Sequence, residues 1–198
     1  MKSTNNILII SILLLTLFSC KEEKLLAETV VNQTLQTILG RKSIREFTEK
    51  EITNDVLNDL LKAGMAAPSS RDRRPWHFIV LTDKEIMKSL ASQLKNVSYM
   101  DRANKVIIVL GDSLLNDNCW ELDCSAASQN ILIAAESMGL GATWTAVFPY
   151  EDRTDVVKKA FELPDNIHPF AIIPLGYPLA ETAPKNKFDE QRIHQNRW

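Results

Sequence analysis

Apolar and polar positions along this 198-residue chain follow two distinct periods. From Ala27 to Leu39 the apolar residues Val31, Leu35 and Ile38 recur at near-helical spacing, and Gly40 follows as a stop. Thr53 is placed to cap a second helix, Asn54 to Ala67, whose residues Val56, Leu57, Leu60, Leu61 and Gly64 form one stripe before Pro68 closes it. Further helices are predicted over Asp83 to Leu94, Trp120 to Met138 and about Glu151 to Phe161. The second of these is apolar on most sides, which suits the centre of a domain or an interface. Trp76 to Thr82, Lys105 to Asp112 and Phe170 to Leu175 read as strands, the last two almost wholly apolar, as in strands buried on both faces. Strands this few and this scattered predict an α+β fold rather than a regular doubly wound sheet.

The first twenty residues stand apart from that pattern. Ile7 to Phe18 is a nearly unbroken apolar run behind Lys2, of signal-peptide length and too short to span a bilayer. "LFSC", Leu17 to Cys20, resembles a bacterial lipobox, in which the cysteine carries lipid and becomes the new N-terminus. The expected organisation is a lipoprotein signal peptide over 1–19, a lipid-anchored linker and the start of the first helix over 20–34, and one folded domain over 35–198. "CKEEK" after the cysteine resembles a signal for transfer to the outer surface. The expectation is an exported lipoprotein, periplasmic or at the outer-membrane surface of a Gram-negative bacterium, held to the membrane by its N-terminal lipid alone.

Cys119 and Cys124 remain, five apart at the start of a predicted helix. Helical geometry sets them roughly 140° apart, which would strain a disulfide. They read as small buried or half-buried residues, with redox pairing outside the cytosol as the alternative. The three histidines, His77, His168 and His194, are dispersed and show no metal spacing.

Composition changes the picture in one respect. With 45% hydrophobic residues the chain can bury a core of its own, and a net charge of -2 excludes the strongly basic surface of a nucleic-acid binder. Against that background, basic residues gather in three turn-rich stretches: "RKSIREF" (Arg41 to Phe47), "APSSRDRRPWHFIV" (Ala67 to Val80) and "PKNKF" (Pro184 to Phe188). Guanidinium forks and a hydroxyl at alternating positions offer several charge-assisted hydrogen bonds to a small anion such as a phosphate.

These stretches, with "SQNILIAAESMGLGATW" on and after the longest helix and "IIPLGYP" before "PKNKF", occur in the same order as in the nitroreductase family of flavin enzymes, which the chain resembles from about Leu35 to Trp198. The resemblance implies a nitroreductase-like fold, with a central mixed β-sheet flanked by helices, in an intertwined homodimer holding FMN at its interface. It implies electron transfer from NAD(P)H through FMN to electron-poor organic acceptors such as nitroaromatics and quinones, by a ping-pong cycle. By family position Arg41, Lys42 and Ser43 lie at the phosphate, Arg45 beside the flavin's N1 and O2 edge, and Lys185 and Lys187 close over the phosphate. Pro68, Ser69 and Ser70 fit a turn facing the ribityl chain or a ring edge. Trp144, Thr145 and Ala146 occupy the positions expected to touch the ring through the main chain.

The chain departs from the family at two of these positions. Many relatives read N-x-Q-P-W where this sequence has Asp72 to Trp76, and an ionised Asp72 only accepts hydrogen bonds: it would bond the ring's N3-H, or pair with Arg71 or Arg74. Ala146 stands where relatives often carry glycine. Trp76 reads as core. No side chain stands out as a catalytic acid, base or nucleophile, as expected where the cofactor carries the chemistry. Two other readings accompany this one: a surface-anchored flavin-binding protein without turnover, and a sister reduction such as dehalogenation. About ten residues join the Asp83 to Leu94 helix to the next strand, too short a span for the substrate lid that dehalogenation needs.

Overall fold

The computed structural model describes residues 32–198, so the predicted signal peptide, Cys20 and the beginning of the linker lie outside the described residues. The chain divides after Leu39 into two compact units. In the first, the described residues belong to a helix, α1, over 32–40, so Ala27 to Val31 of the predicted helix are not covered.

The second unit contains α2 (Asn54–Met65), β1 (Trp76–Leu81), α3 (Lys84–Gln93), β2 (Lys105–Asp112), α4 (Trp120–Ser137), β3 (Gly141–Ala142), β4 (Thr145–Ala146), α5 (Glu151–Ala160) and β5 (Ile167–Gly176). Thr53 caps α2 as expected, accepting a hydrogen bond from the Val56 amide, and Asp83, read as the first residue of α3, is instead its cap and accepts from the amides of Glu85 and Ile86; each satisfies donors that an uncapped first turn would leave open. Helix α2 stops two residues before the predicted end: the Ala66 amide still reaches Lys62, but the Ala67 amide bonds Gly64, only three residues back, and Pro68 has no amide to donate.

The strands form one sheet in the order β1-β2-β5-β3, with β4 also paired to β5, and every named pair is antiparallel. The parallel element of this mixed sheet is an isolated bridge between Ser43 and Ala142. Strand β2 is apolar nearly throughout because both faces are covered. Ile107 and Val109 pack with α2 and α4 on one side, while Val106, Ile108 and Leu110 pack with residues of α3 and with Val157 of α5 on the other.

Strand β5 is longer than predicted at both ends and carries Pro169 and Pro174. It tolerates Pro169 through a bulge: Leu110 faces Pro169 and Val109 faces Ala171, leaving Phe170 without a partner on β2. The Phe170 carbonyl instead accepts from the amides of Val147 and Phe148. At Gly64, α2 approaches α4 so closely that a Cβ would stand 3.0 Å from the Ile131 side chain. The tail beyond Pro178 carries one short turn, Glu190–Arg192, and leaves Phe188, Ile193 and Trp198 exposed in the single chain.

Candidate functional site

The segment from Arg41 to Thr48 is held to the sheet by its own alternation. Ile44 and Phe47 are buried, while Ser43, Arg45 and Glu46 are exposed. The Ile44 amide donates to the Ala142 carbonyl at 3.0 Å, the Thr48 amide to Tyr177, and the Leu179 amide to Glu46. Two glycines make the seats. A Cβ on Gly141 would lie 2.6 Å from Ile44, and one on Gly176 would lie 2.7 Å from Phe47, so neither position accepts a side chain without displacing the segment. The apolar residues thus fix the backbone that presents the polar ones.

Arg41, Lys42, Ser43 and Arg45 line a cavity of about 470 Å3 together with Thr182, Ala183, Lys185 and Lys187. Residues about 140 positions apart in sequence therefore meet as a cluster of cations with two hydroxyl residues, Ser43 and Thr182. Lys42 is diverted from it: its ammonium pairs with Glu136 of α4 at 2.8 Å. Among the described residues no carboxylate comes within 4.0 Å of the charged nitrogens of Arg41, Arg45, Lys185 or Lys187. Four cations without a carboxylate repel one another, and a bound dianion relieves that repulsion. The donor set fits a terminal phosphate, as FMN carries.

The Ser43–Ala142 bridge joins the basic segment to the loop from Gly141 to Ala146. Trp144 is half-buried with its ring edge-on to Phe170, centroids 5.6 Å apart, and the Ala146 carbonyl accepts from Arg153 Nη1. Thr145 is buried, and its hydroxyl lies 2.7 Å from that of Tyr99. The Tyr99 ring also carries the Arg45 guanidinium, with Cζ 5.4 Å from the ring centroid. The hydroxyls of Thr143 in the same loop and Ser128 in α4 are buried with no hydrogen-bond partner among the described residues.

Pro68, Ser69, Ser70 and Asp72 do not line the cationic cavity. Ser70 borders a separate polar cavity of about 180 Å3 with Arg71, Arg73 and residues 116–119. The turn is bonded within itself and to α4: Ser69 Oγ accepts from the Arg74 amide, and the Ser70 amide donates to buried Asp123 at 2.9 Å. Arg71, Asp72 and Arg74 all take positive φ, near 50°, an unusual concentration of left-handed backbone without glycine. Of the two partners the sequence offers Asp72, the single chain shows the arginine: both carboxylate oxygens accept from Arg74, and that contact holds the carboxyl below the usual range.

Cys119 and Cys124 are both free. Cys119 is the residue preceding α4 rather than part of it, so the helical separation argument does not apply to the pair. Burial, with Asp123 and Glu121 nearby, pushes the Cys124 thiol up to about 12. His168 stacks on Trp120 at 5.1 Å and contacts Ser113 Oγ; burial, then Lys158, lowers its pKa. Among the described residues no group of His, Cys, Asp or Glu is arranged to hold a metal, and no helix is long and apolar enough to cross a membrane.

Tyr99, Glu136 and Asp123 were not legible as site residues. Each acts through partners distant in sequence, and none belongs to a basic cluster.

Comparison with known proteins places these observations in context. Residues 38–99 and 89–177 match the model of the nitroreductase family. A protein of Methanothermobacter thermautotrophicus, provisionally named an NADH dehydrogenase/NAD(P)H nitroreductase, is 41% identical over 166 residues, covering 83% of this chain and 87% of its own. A crystal structure from Parabacteroides distasonis, with the same provisional name, superposes with a TM-score of 0.82 at 51% identity, covering 84% of this chain and 99% of that one. An FMN-dependent nitroreductase of Clostridium difficile superposes with a TM-score of 0.78 at 28% identity, covering 83% and 99%.

Proposed function

This chain belongs to the nitroreductase family, and on that premise we propose that it is an FMN-dependent oxidoreductase that draws its electrons from NAD(P)H. The observation that carries the reading is the cavity holding Arg41, Ser43, Arg45, Lys185 and Lys187, with no carboxylate among the described residues paired to the four cations. Bound there, FMN supplies the hydride and electron chemistry that no side chain of this protein offers.

The protein's share is binding, orientation and electrostatics. Arg41, Ser43, Lys185 and Lys187 hold the phosphate through charge-assisted hydrogen bonds. Arg45 would stand at the pyrimidine edge of the ring, where a fixed cation favours the negative charge that reduction brings. The loop Trp144, Thr145 and Ala146 would contact the ring through its main chain. Lys42 acts at one remove, its ion pair with Glu136 tying the basic segment to α4. Protons come from solvent, since no acid or base converges on the cavity.

The electron acceptors in this reading are nitroaromatics, quinones and similar electron-poor compounds, reduced in a ping-pong cycle. The functional unit is a homodimer. Pro68 to Ser70 lie outside the cationic cavity of their own chain, and they meet FMN where two chains share it; the exposed tail residues Phe188, Ile193 and Trp198 are covered by the same association. The reading of the chain as an exported lipoprotein, anchored through Cys20, rests on the sequence of residues 1–20 and the lysine and glutamates that follow.

The test uses the chain from Lys21 onward, loaded with FMN and mixed without oxygen with NADH or NADPH. Bleaching of the flavin bands, reversed by a quinone or nitroaromatic, is expected. A yellow protein that neither nicotinamide bleaches would contradict the enzyme and leave a flavin carrier.

A further inference from the structure

Tyr99 stands in the short turn Ser98–Arg102 between α3 and β2 and is half-buried. It is the one described side chain in contact with both Arg45 and Thr145: the guanidinium lies over its ring and the threonine hydroxyl is 2.7 Å from its own. The turn is well anchored, since Val97, Met100 and Ala103 are fully buried and the Met100 and Ala103 amides close it internally. The ring is therefore a fixed platform.

The choice of an aromatic ring matters chemically. A carboxylate would also hold Arg45, but it would neutralise the charge and occupy the N-H donors. A ring face attracts the guanidinium through its quadrupole and leaves both the positive charge and the edge donors free for a ligand. Arginine also loses rotamer freedom on binding, and a guanidinium already held in place has less to lose. The hydroxyl contact then ties this platform to buried Thr145, in the loop that the Ser43 to Ala142 bridge joins to the basic segment.

We propose that Tyr99 is a positioning residue: its ring holds Arg45 charged and pre-oriented toward the flavin. The inference rests on the role given to Arg45 above.

The experiment compares wild type with Tyr99→Phe and Tyr99→Leu, with Tyr99→Met replacing the latter if it does not fold. In the FMN-free protein, NMR should show the Arg45 side-chain protons shifted upfield by the ring in wild type and Tyr99→Phe, and unshifted in Tyr99→Leu. With FMN, Tyr99→Phe should bind within about twofold of wild type. Tyr99→Leu should bind about tenfold more weakly and lose about tenfold of its preference for reduced flavin, a fall of about 30 mV for a two-electron couple. In an Arg45→Gln background, Tyr99→Leu should add nothing further. A Tyr99→Leu protein with wild-type affinity and potential overturns the inference alone, as does a Tyr99→Phe protein as impaired as Tyr99→Leu. A wild-type protein that takes up no FMN overturns the functional reading and this inference with it.

Discussion

Ser43 and Ala142 face each other across an isolated parallel bridge, which joins the basic segment to the loop after α4. Arg41 to Thr48 is thus joined directly to the loop Gly141 to Ala146, seated where Gly141 leaves room for Ile44. Gly141→Ala puts a methyl 2.6 Å from Ile44 and should destabilise the protein by about 1–3 kcal/mol while weakening FMN binding. Denaturant titration and FMN titration of the same variant check both effects.

Both oxygens of Asp72 accept from Arg74, and that pair is expected to persist when FMN binds. Asp72→Asn should leave FMN affinity within about twofold of wild type. Fluorescence titration measures it, and a loss of tenfold or more would return Asp72 to the flavin.

The two buried hydroxyls without partners are a cost that isosteric replacement removes. Thr143→Val and Ser128→Ala should each be neutral or raise stability by about 1 kcal/mol, read as an increase in Tm. A clear loss for Thr143→Val would reveal a partner for that hydroxyl in the working protein.

The two cysteines should differ in reactivity. Cys119 is partly exposed, whereas the Cys124 thiol, pushed up to about 12, is almost entirely protonated at pH 8. In the chain from Lys21 onward, alkylation at pH 8 should label Cys119 in the folded protein and reach Cys124 only after denaturation.

His168 is held neutral by burial and by Lys158, so its pKa in the folded state lies below the ordinary value of 6.5. Its contribution is therefore present above pH 6.5 and is lost as pH falls through the lowered folded value. Stability should drop below about pH 6.5, and His168→Phe, which keeps the stack on Trp120, should flatten that part of the pH profile.

Much of the fold was legible because its signals are local. Thr53 caps the helix it precedes, and the unbroken apolar run of β2 marked a strand covered on both faces. The ends of β5 were not legible, because the bulge opposite Phe170 that accommodates Pro169 depends on β2, more than fifty residues earlier. In the site, "RKSIREF" was readable because three cations and a hydroxyl are concentrated in one short stretch of an otherwise slightly acidic chain. The gathering of Lys185 and Lys187 with Arg41 rested on resemblance to a family rather than on spacing. The diversion of Lys42 to Glu136 and the contacts of Tyr99 depend on pairings 94 and 46 residues apart, which no local pattern carries.

The most direct test of the cationic cavity is to titrate flavin-free protein with FMN and with riboflavin, which differ only in the phosphate, for wild type, Arg41→Ala and Lys185→Ala. The phosphate site predicts that wild type prefers FMN strongly, and that each substitution weakens FMN by about 10- to 100-fold while leaving riboflavin unchanged. Equal affinity of the wild-type protein for the two flavins would contradict it.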